Sequence, residues 1–417
     1  MDSKMQETLS RLLEGNLQWE KSVEGGIVLY PSSTEEIQRV LRCATKNQWK
    51  VIWSSGANSP TVPPEVIYMD LGKMDHILEL DAGARYVVVE PGVTLPQLQS
   101  YLATHSPELG FVQIPGNDGA TAVVAAVTEM PHDRCTLYGS LTEMMNGLEI
   151  VLGDGTVVCI GSRTIAEKWF NIGPLPDLKG LFVNWKGDLG VVSKLSLQLL
   201  PVARQSASFL FVLKDPQTLQ EVLWESSHLE LADYIHVFTC AEPEFLRKSI
   251  YVGVRVAAAT EREMRFKAQK FSTLFQRRRD VLFKDRYPGQ LEPRSKTMDL
   301  FPEEDYRELR YIAPMSSIQK IVSELRQSPE IAKMNVVIDC SLVDHGHKVI
   351  VRVGWRKDPA ALGETAEREI TRVCQSNQGI VWGKPLVMTE AGAPANLLSG
   401  ILKEALDPQA VLLQSVF

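Results

Sequence analysis

Residues 147–157 read Gly-Leu-Glu-Ile-Val-Leu-Gly-Asp-Gly-Thr-Val, and the run continues to Ile160. β-Branched and apolar residues on both sides of a Gly-Asp-Gly turn are typical of a β-hairpin, because short Gly/Asp turns supply the backbone conformations that tight connections need. The stretch therefore predicts two antiparallel strands, Leu148–Leu152 and Thr156–Ile160.

Strands and helices alternate on the N-terminal side of this hairpin. Short β-rich runs lie at 27–30, 51–53 and 86–90. Helical patterns begin after Thr94 and after Ser33, where Glu36 three residues later makes a capping box. Alternating elements combined with hairpins predict an α+β fold rather than a regular doubly wound sheet.

The sequence pattern changes after about Ala203, where a second set of strands and helices begins. Strand-like runs at 208–213, 250–256, 336–339 and 348–353 surround helical segments. A second α+β domain, of the kind that covers a cofactor site, is predicted there. The predicted organisation is an N-terminal helix within 1–26, a first domain at 27–202, a second domain at 203–394, and a C-terminal helix and tail at 395–417.

Composition excludes several classes of protein. The 417 residues are 44% hydrophobic and 23% charged, which is the balance of a globular chain, and the net charge is −7. That acidity argues against a general phosphate-neutralising surface for nucleic acid. No run approaches the ~18 apolar residues of a membrane span, and the polar N-terminus shows no secretory core, so a cytoplasmic location is expected.

Cysteine spacing bears on redox chemistry. The six cysteines are Cys43, Cys135, Cys159, Cys240, Cys340 and Cys374, and they form no CxxC pair. Neither a zinc nor an iron–sulfur site is therefore predicted. Any redox chemistry would need a carrier other than a cysteine-bound cluster.

Further segments keep a fixed order along the first 201 residues: 31–41, 66–81, 86–98, 114–121, 147–157, 173–182 and 187–194. Together they resemble the FAD-binding domain of the vanillyl-alcohol oxidase / p-cresol methylhydroxylase superfamily, which includes lactate and glycolate dehydrogenase-like flavoproteins. Residues 402–408 resemble the helix that returns to that domain. The resemblance implies an FAD-binding domain of two α+β subdomains at 27–202, a substrate or cap domain at 203–394, and FAD as cofactor.

Three segments match the parts of this family that hold FAD. Successive main-chain N–H groups in turns form anion-binding nests for a diphosphate, and glycine permits close approach of the backbone. By the resemblance, the cofactor-binding residues are Ser54, Ser55, Gly56, Ala57, Asn58 and Ser59 in the first segment, Pro115, Gly116, Asn117, Gly119, Ala120 and Thr121 in the second, Gly187, Asp188, Gly190, Val191 and Val192 in the third, and Tyr138.

Two of these segments depart from the family pattern. The first keeps only Gly56 where the family is richer in glycine, and residues 122–133 replace a glycine-rich stretch with valines, alanines and Glu129. Either the loops have moved and still bind FAD, or binding is weakened or lost. His132 and Cys135 are candidates for a covalent flavin link, although a surface-loop histidine and a small core cysteine are the simpler interpretation.

The resemblance implies that a substrate gives a hydride to the flavin while the second domain orients it. Arg310 and Tyr311 are the preferred catalytic pair, and Arg352, His345 and His347 are further candidates. The alternative is a surface salt-bridged arginine and a packed tyrosine. Asp344-His-Gly-His347 has the composition of a hairpin turn, so no metal site is predicted.

Two functions remain open at this point. The first is an FAD-dependent dehydrogenase or oxidase acting on a small 2-hydroxy acid or a phenolic or benzylic alcohol. The second is a non-catalytic or degenerate FAD-fold subunit of a larger oxidoreductase. The expected partners are a small-molecule substrate and a redox partner or partner subunit in a homo- or hetero-oligomer, with no nucleic acid and no membrane span. The basic stretch 265–279 predicts a solvated helix face or a docking surface for an acidic redox partner.

Overall fold

The computed structural model describes residues 17–22, 25–56, 62–63, 66–114, 119–170, 175–184, 187–213, 215–239, 249–276, 278, 281–284, 306–332, 334, 336–356, 360–382 and 394–413. The chain divides into two compact units. Unit 1 comprises residues 1–130, 141–201 and 385–417, and unit 2 comprises residues 131–140 and 202–384. The N-terminal helix predicted at about 7–17 lies outside the described residues except for Leu17.

The first sheet of unit 1 has four strands. In spatial order they are β1 (Gln18–Lys21), β2 (Ile27–Tyr30), β4 (Val66–Asp70) and β3 (Lys50–Ser54). Strands β2, β4 and β3 are parallel, and β1 pairs antiparallel with β2. Helix α1 (Thr34–Asn47) connects β2 to β3 and buries Ile37, Val40 and Leu41. Ser33 Oγ accepts from the Glu36 N–H at 3.3 Å, so the predicted cap is confirmed, whereas the Glu36 carboxylate accepts from the N–H of Ser32, one residue before the cap of the predicted capping box, at 2.8 Å.

The second sheet of unit 1 contains the hairpin that the Gly-Asp-Gly turn predicts. Its antiparallel strands are, in order, β5 (Ile77–Asp81), β6 (Tyr86–Val89), β10 (Val191–Gln198), β8 (Met145–Val151) and β9 (Val157–Gly161). Strands β8 and β9 pair from Val151 with Val157 to Gly147 with Gly161. Unit 1 also has helices α2 (Leu95–His105) and α3 (Ala122–Val127) and a small sheet of β7 (Leu109–Gly110) and β11 (Leu200–Pro201).

The C-terminal segment returns to unit 1, as the resemblance implies. Helix α10 (Pro394–Leu406) is followed by a bridge in which Leu412 pairs parallel with Val51 of strand β3. The Val51 N–H donates to the Val411 carbonyl, and the Leu413 N–H donates to the Val51 carbonyl, both at 2.8 Å. The last described residues therefore extend the first sheet.

Unit 2 is built on an antiparallel sheet of eight strands. In order they are β15 (Val281–Lys284), β12 (Gln205–Leu213), β14 (Ile250–Ala258), β13 (Tyr234–Phe238), β17 (Val337–Val343), β18 (Lys348–Arg356), β16 (Tyr306–Pro314) and β19 (Ile380–Val381). Its helices are α4 (Cys135–Tyr138), α5 (Leu219–His228), α6 (Glu261–Gln276), α7 (Ile318–Gln327), α8 (Pro329–Ala332) and α9 (Ala360–Ser376).

The core of unit 2 forms between one face of this sheet and its helices. Side chains alternate between the two faces of a strand, so residues two apart share a face. Val351, Val353 and Trp355 of β18 pack with Ile321 of α7 and Ile370 of α9 in one apolar cluster. Both units thus combine sheets and helices, and the predicted α+β class is confirmed. Within the described residues, no helix is long and apolar enough to cross a membrane.

Candidate cofactor site

The first predicted cofactor segment, Ser54–Gly56, leaves the carboxyl end of β3. In open sheets with parallel strands, ligands commonly bind outside this end of the strands. The Leu71 N–H donates to the Ser54 carbonyl at 2.8 Å, and the Gly56 N–H donates to Ser54 Oγ at 3.2 Å. Two hydrogen bonds therefore fix the start of this turn. Ala57, Asn58 and Ser59 lie outside the described residues.

The second predicted segment meets the first through two buried hydroxyl groups. Ser55 Oγ and Thr121 Oγ1 are 2.9 Å apart, and each side chain is 2% exposed. Thr121 Oγ1 also accepts from the Val124 N–H at 3.2 Å and so caps helix α3. The Leu95 N–H donates to the Ala120 carbonyl at 3.0 Å and holds the preceding residue. Gly119 is described and exposed, whereas Pro115, Gly116 and Asn117 lie outside the described residues.

The third predicted segment is tied to the first by Trp53. Its indole Nε1 donates to the Gly187 carbonyl at 3.2 Å, and Gly187 has a φ of +77°, a region that favours glycine. Gly190 packs so closely that a Cβ there would lie 2.4 Å from Ile150 Cγ2. Asp188 follows Gly187 directly, and the buried Val191 and Val192 begin strand β10. The structure therefore brings described residues of all three segments together within unit 1.

The donors of these segments have the chemistry that FAD requires. Main-chain N–H groups in turns are donors that bind phosphate oxygens, and the buried hydroxyl groups of Ser55 and Thr121 hold two of these turns together. Among the described residues there is also space, because a Cβ built on Gly119 meets none of their atoms within 4 Å, and one built on Gly56 meets Ser54 Oγ at 3.8 Å. The residues present in these segments fit the cofactor.

The altered stretch after Thr121 folds into helix α3 and a turn. Val123 is fully buried in the apolar core of unit 1, and Val124 is 6% exposed. The Glu129 carboxylate accepts from Thr142 Oγ1 at 2.6 Å and from Asn184 Nδ2 at 3.4 Å. The negative charge that the sequence places near the diphosphate loops is therefore hydrogen-bonded inside unit 1.

Residues 131–140 are part of unit 2, and they include Tyr138, His132 and Cys135. Tyr138 ends helix α4, and its ring is 5.8 Å from the guanidinium carbon of Arg134. His132 Nδ1 accepts from the Arg134 N–H at 3.2 Å, so its Nε2 donates to the Gly139 carbonyl at 3.1 Å. Burial lowers the pKa of His132 to about 4. Cys135 is buried and its thiol donates to a backbone carbonyl of β17 at 3.4 Å.

Arg310 and Tyr311, the predicted catalytic pair, occupy successive positions of strand β16 and so face opposite sides of the sheet. The Tyr311 ring is 1% exposed in the core of unit 2, and its hydroxyl is 2.8 Å from Thr371 Oγ1. Burial raises the pKa of Tyr311. Arg310 is exposed and pairs with Glu308. The geometry does not bring the two side chains together on one face, and their catalytic roles stay predictions.

A charged network lies on the Arg310 side of this sheet. Arg352 pairs with Glu308 at 2.7 Å and with Asp339 at 3.4 Å. Burial alone would raise the pKa of Glu308, but the guanidinium groups of Arg352 and Arg310 hold it below its ordinary value. Arg352 is a candidate from the sequence, but its partners Glu308 and Asp339 were not predicted, although polar residues at alternating strand positions are a signal that could have indicated them.

Asp344, His345 and Gly346 form the turn between β17 and β18, and all three have positive φ. Lys348 pairs with Asp344 at 2.8 Å across this turn. In the described part of the chain, no group of three or more His, Cys, Asp or Glu side chains could hold a metal ion. The hairpin interpretation of this motif therefore agrees with the structure.

Residues 26–161 match the model of a family described as FAD binding domain. A D-lactate dehydrogenase of Archaeoglobus fulgidus is 30% identical over 188 residues, which are 44% of this chain and 41% of that protein. A probable mitochondrial D-2-hydroxyglutarate dehydrogenase of Oryza sativa is 30% identical over 222 residues, 51% of this chain and 38% of that protein. The matched segment thus spans about two fifths of these curated relatives.

Solved structures agree over nearly the whole chain. p-Cresol methylhydroxylase with substrate bound superposes with a TM-score of 0.76 at 16% identity, covering 92% of this chain and 87% of that one. A chitooligosaccharide oxidase superposes with a TM-score of 0.64 at 13% identity, covering 97% of both chains. The resemblance stated from the sequence is confirmed: residues 26–161 match an FAD binding domain, and the chain has the fold of p-cresol methylhydroxylase.

Proposed function

We propose that this protein is an FAD-dependent oxidoreductase that oxidises a small hydroxylated substrate. The observation that carries the proposal is the convergence of Ser55, Thr121 and Gly187, which the Ser55–Thr121 and Trp53–Gly187 contacts hold together. Bound FAD would supply the hydride acceptor. The protein's own part would be to hold the cofactor through these segments and to orient the substrate.

A 2-hydroxy acid is the substrate class that we favour. D-Lactate and D-2-hydroxyglutarate dehydrogenases are 30% identical to about half of this chain, whereas p-cresol methylhydroxylase and a 4-ethylphenol oxidase share the fold at 16% identity. Phenolic or benzylic alcohols remain the second class to be tested. Electrons would then pass to oxygen, a quinone, a cytochrome or a partner flavoprotein, and a homo- or hetero-oligomer would bring such a partner close.

Arg310 is our proposal for the group that binds the substrate carboxylate. Its side chain is 47% exposed and pairs with Glu308 at the surface of the sheet, so a carboxylate of the substrate could replace that partner. The placement of Tyr311 supports a different role, since its hydroxyl bonds to Thr371 inside the core. Tyr311 would position the strand that carries Arg310.

A second candidate function is a non-catalytic subunit of a larger oxidoreductase. The observation that favours it is helix α3, whose six residues are all buried and apolar where the family carries glycine. Such a chain would keep the fold and lose the reducible flavin.

The first experiment records the visible spectrum of the purified full chain before and after acid precipitation, followed by titration of the protein with FAD. Flavin released into the supernatant supports non-covalent FAD, whereas colour in the pellet directs attention to His132 and Cys135. Anaerobic addition of D-lactate, D-2-hydroxyglutarate or p-cresol then tests the substrate class through loss of the flavin's visible absorption. A colourless protein that takes up no FAD would contradict the proposal of an FAD-dependent enzyme and would agree with the proposal of a non-catalytic subunit.

A further inference from the structure

The ammonium group of Lys403, on helix α10, binds acceptors from three places in unit 1. Its Nζ lies 2.6 Å from the Asp188 carbonyl oxygen and 2.8 Å from the Leu412 carbonyl oxygen. It also contacts the Asp188 carboxylate and lies 2.8 Å from a carboxylate oxygen of Asp407. An ammonium group has three N–H donors, so this side chain is held in one orientation by its partners.

The C-terminal partners of Lys403 are themselves fixed. The Asp407 carboxylate, 1% exposed, accepts from the Val411 N–H at 3.0 Å and from the Leu412 N–H at 2.8 Å. Val411 in turn accepts from the Val51 N–H of strand β3. Lys403 therefore connects the strand that leads into the first cofactor segment with Asp188 of the third.

The peptide planes of the third segment are set by two donors. Trp53 Nε1 holds the Gly187 carbonyl, and Lys403 Nζ holds the carbonyl of the next residue, Asp188. In a planar trans peptide the N–H points away from the C=O of the same unit. The N–H groups of Asp188 and Leu189 are therefore directed away from Trp53 and Lys403, and main-chain N–H groups in such a turn are donors for an anion such as a diphosphate.

We propose that Lys403 is a positioning residue for the cofactor: it orients the 187–189 backbone so that its N–H groups can donate to FAD. The inference rests on the proposed binding of FAD, and it makes the C-terminal segment part of the cofactor site although that segment lies more than 200 positions from Asp188 in the sequence. Lys403 itself is not assigned a contact with FAD.

The test compares Lys403→Met, which keeps the length of the side chain, with Lys403→Arg, which keeps the charge. The matched control is Lys50→Met, because Lys50 Nζ donates to the Ala410 carbonyl at 2.5 Å and so anchors the same C-terminal segment without touching Asp188. Three quantities are measured on the full chain: the melting temperature without FAD, the Kd for FAD by flavin fluorescence, and hydrogen exchange of the 187–190 amides without FAD.

We expect Lys403→Met to raise the Kd for FAD about tenfold or more and to speed exchange of the 187–190 amides. Lys403→Arg should stay within about threefold of the wild-type Kd, and Lys50→Met should change neither quantity. A folded Lys403→Met protein with the wild-type Kd and exchange overturns the inference and leaves the proposed function intact. If the wild-type protein binds no FAD, the proposed function fails, and unchanged amide exchange in Lys403→Met then overturns the positioning role separately. Should Lys403→Met not fold, Lys403→Arg decides. Amide exchange at the wild-type rate combined with a Kd for FAD raised about tenfold or more would contradict the inference.

Discussion

The hydroxyl oxygens of Ser55 and Thr121 lie 2.9 Å apart, in side chains that are 66 positions apart in the sequence and almost fully buried. The contact links the turn at Ser55 to the turn at Thr121, and Thr121 Oγ1 also caps helix α3. This contact joins the first two cofactor segments, so it is the place where a minimal change should affect FAD binding and stability together.

Replacing Thr121 by Val removes Oγ1 while keeping the shape of the side chain. We expect the protein to lose about 1–2 kcal/mol of stability, because the cap of helix α3 and the bond to Ser55 both disappear. The Kd for FAD should rise at the same time. Chemical denaturation and FAD titration measure the two effects.

Thr128→Val is the matched control for that change. The Thr128 hydroxyl donates to the Val124 carbonyl at the other end of the same helix, at 2.6 Å, and no cofactor segment contains it. Equal increases in Kd for the two variants would show that Thr121 acts only through the stability of the helix.

Gly153→Ala should destabilise the protein by about 1–3 kcal/mol through overpacking. A Cβ at this position would lie 2.2 Å from Asp407 Oδ1, and Asp407 holds the C-terminal segment through Val411 and Leu412. Thermal melting of the protein without FAD measures the change.

Gly400→Ala serves as the opposite case on the C-terminal helix. A Cβ there meets no atom of the described residues within 4 Å, and alanine lowers the entropy of the unfolded chain, so the variant should gain up to about 1 kcal/mol. A loss of stability in Gly400→Ala would contradict the described environment of that helix.

Stability should fall as the pH drops from about 6.5 to 4, because of His132. Burial keeps the folded-state pKa of His132 at about 4, whereas the unfolded chain takes up a proton near the ordinary histidine pKa of about 6.5. Between these values the unfolded state binds more protons, so acid favours unfolding, by up to about 3 kcal/mol. Above pH 7 this group contributes no slope.

The measurement is the free energy of unfolding at pH values from about 3.5 to about 7.5, a range that spans both pKa values. His132→Gln should flatten the slope of the free energy of unfolding against pH. A wild-type slope in His132→Gln would assign the acid sensitivity to other groups.

Arg310→Met should raise the KM for a 2-hydroxy acid at least tenfold if the guanidinium binds the substrate carboxylate. The arginine is exposed and its partner Glu308 also holds Arg352, so the stability of the protein should change little. Steady-state kinetics with D-lactate and an artificial electron acceptor measure this effect.

Tyr311→Phe should lower the stability of the protein rather than raise the KM, in contrast to Arg310→Met. It removes the bond to Thr371 and should cost about 1 kcal/mol of stability while KM stays unchanged. An unchanged KM in Arg310→Met would contradict binding of the substrate carboxylate by Arg310. A large loss of kcat in Tyr311→Phe would contradict the positioning role of Tyr311.

The sequence by itself determined the elements that depend on local pattern. The Gly-Asp-Gly hairpin, the Ser33 cap and the positions of the cofactor segments follow from turn residues, caps and runs of apolar residues that act over a few positions. Strand β1 was not predicted, because Gln18–Lys21 is exposed throughout and shows no alternation of buried and exposed residues. Only its pairing with β2 makes this segment a strand.

Tertiary structure decided which distant side chains meet. The bonds of Trp53 to Gly187 and of Lys403 to Asp188 join residues 134 and 215 positions apart, and no local pattern encodes such pairs. The opposite faces of Arg310 and Tyr311 became clear only when the strand and its core were known. Local pattern determines secondary structure because its interactions span one turn or one strand, whereas the chemistry of a site depends on contacts that form only when the chain has folded.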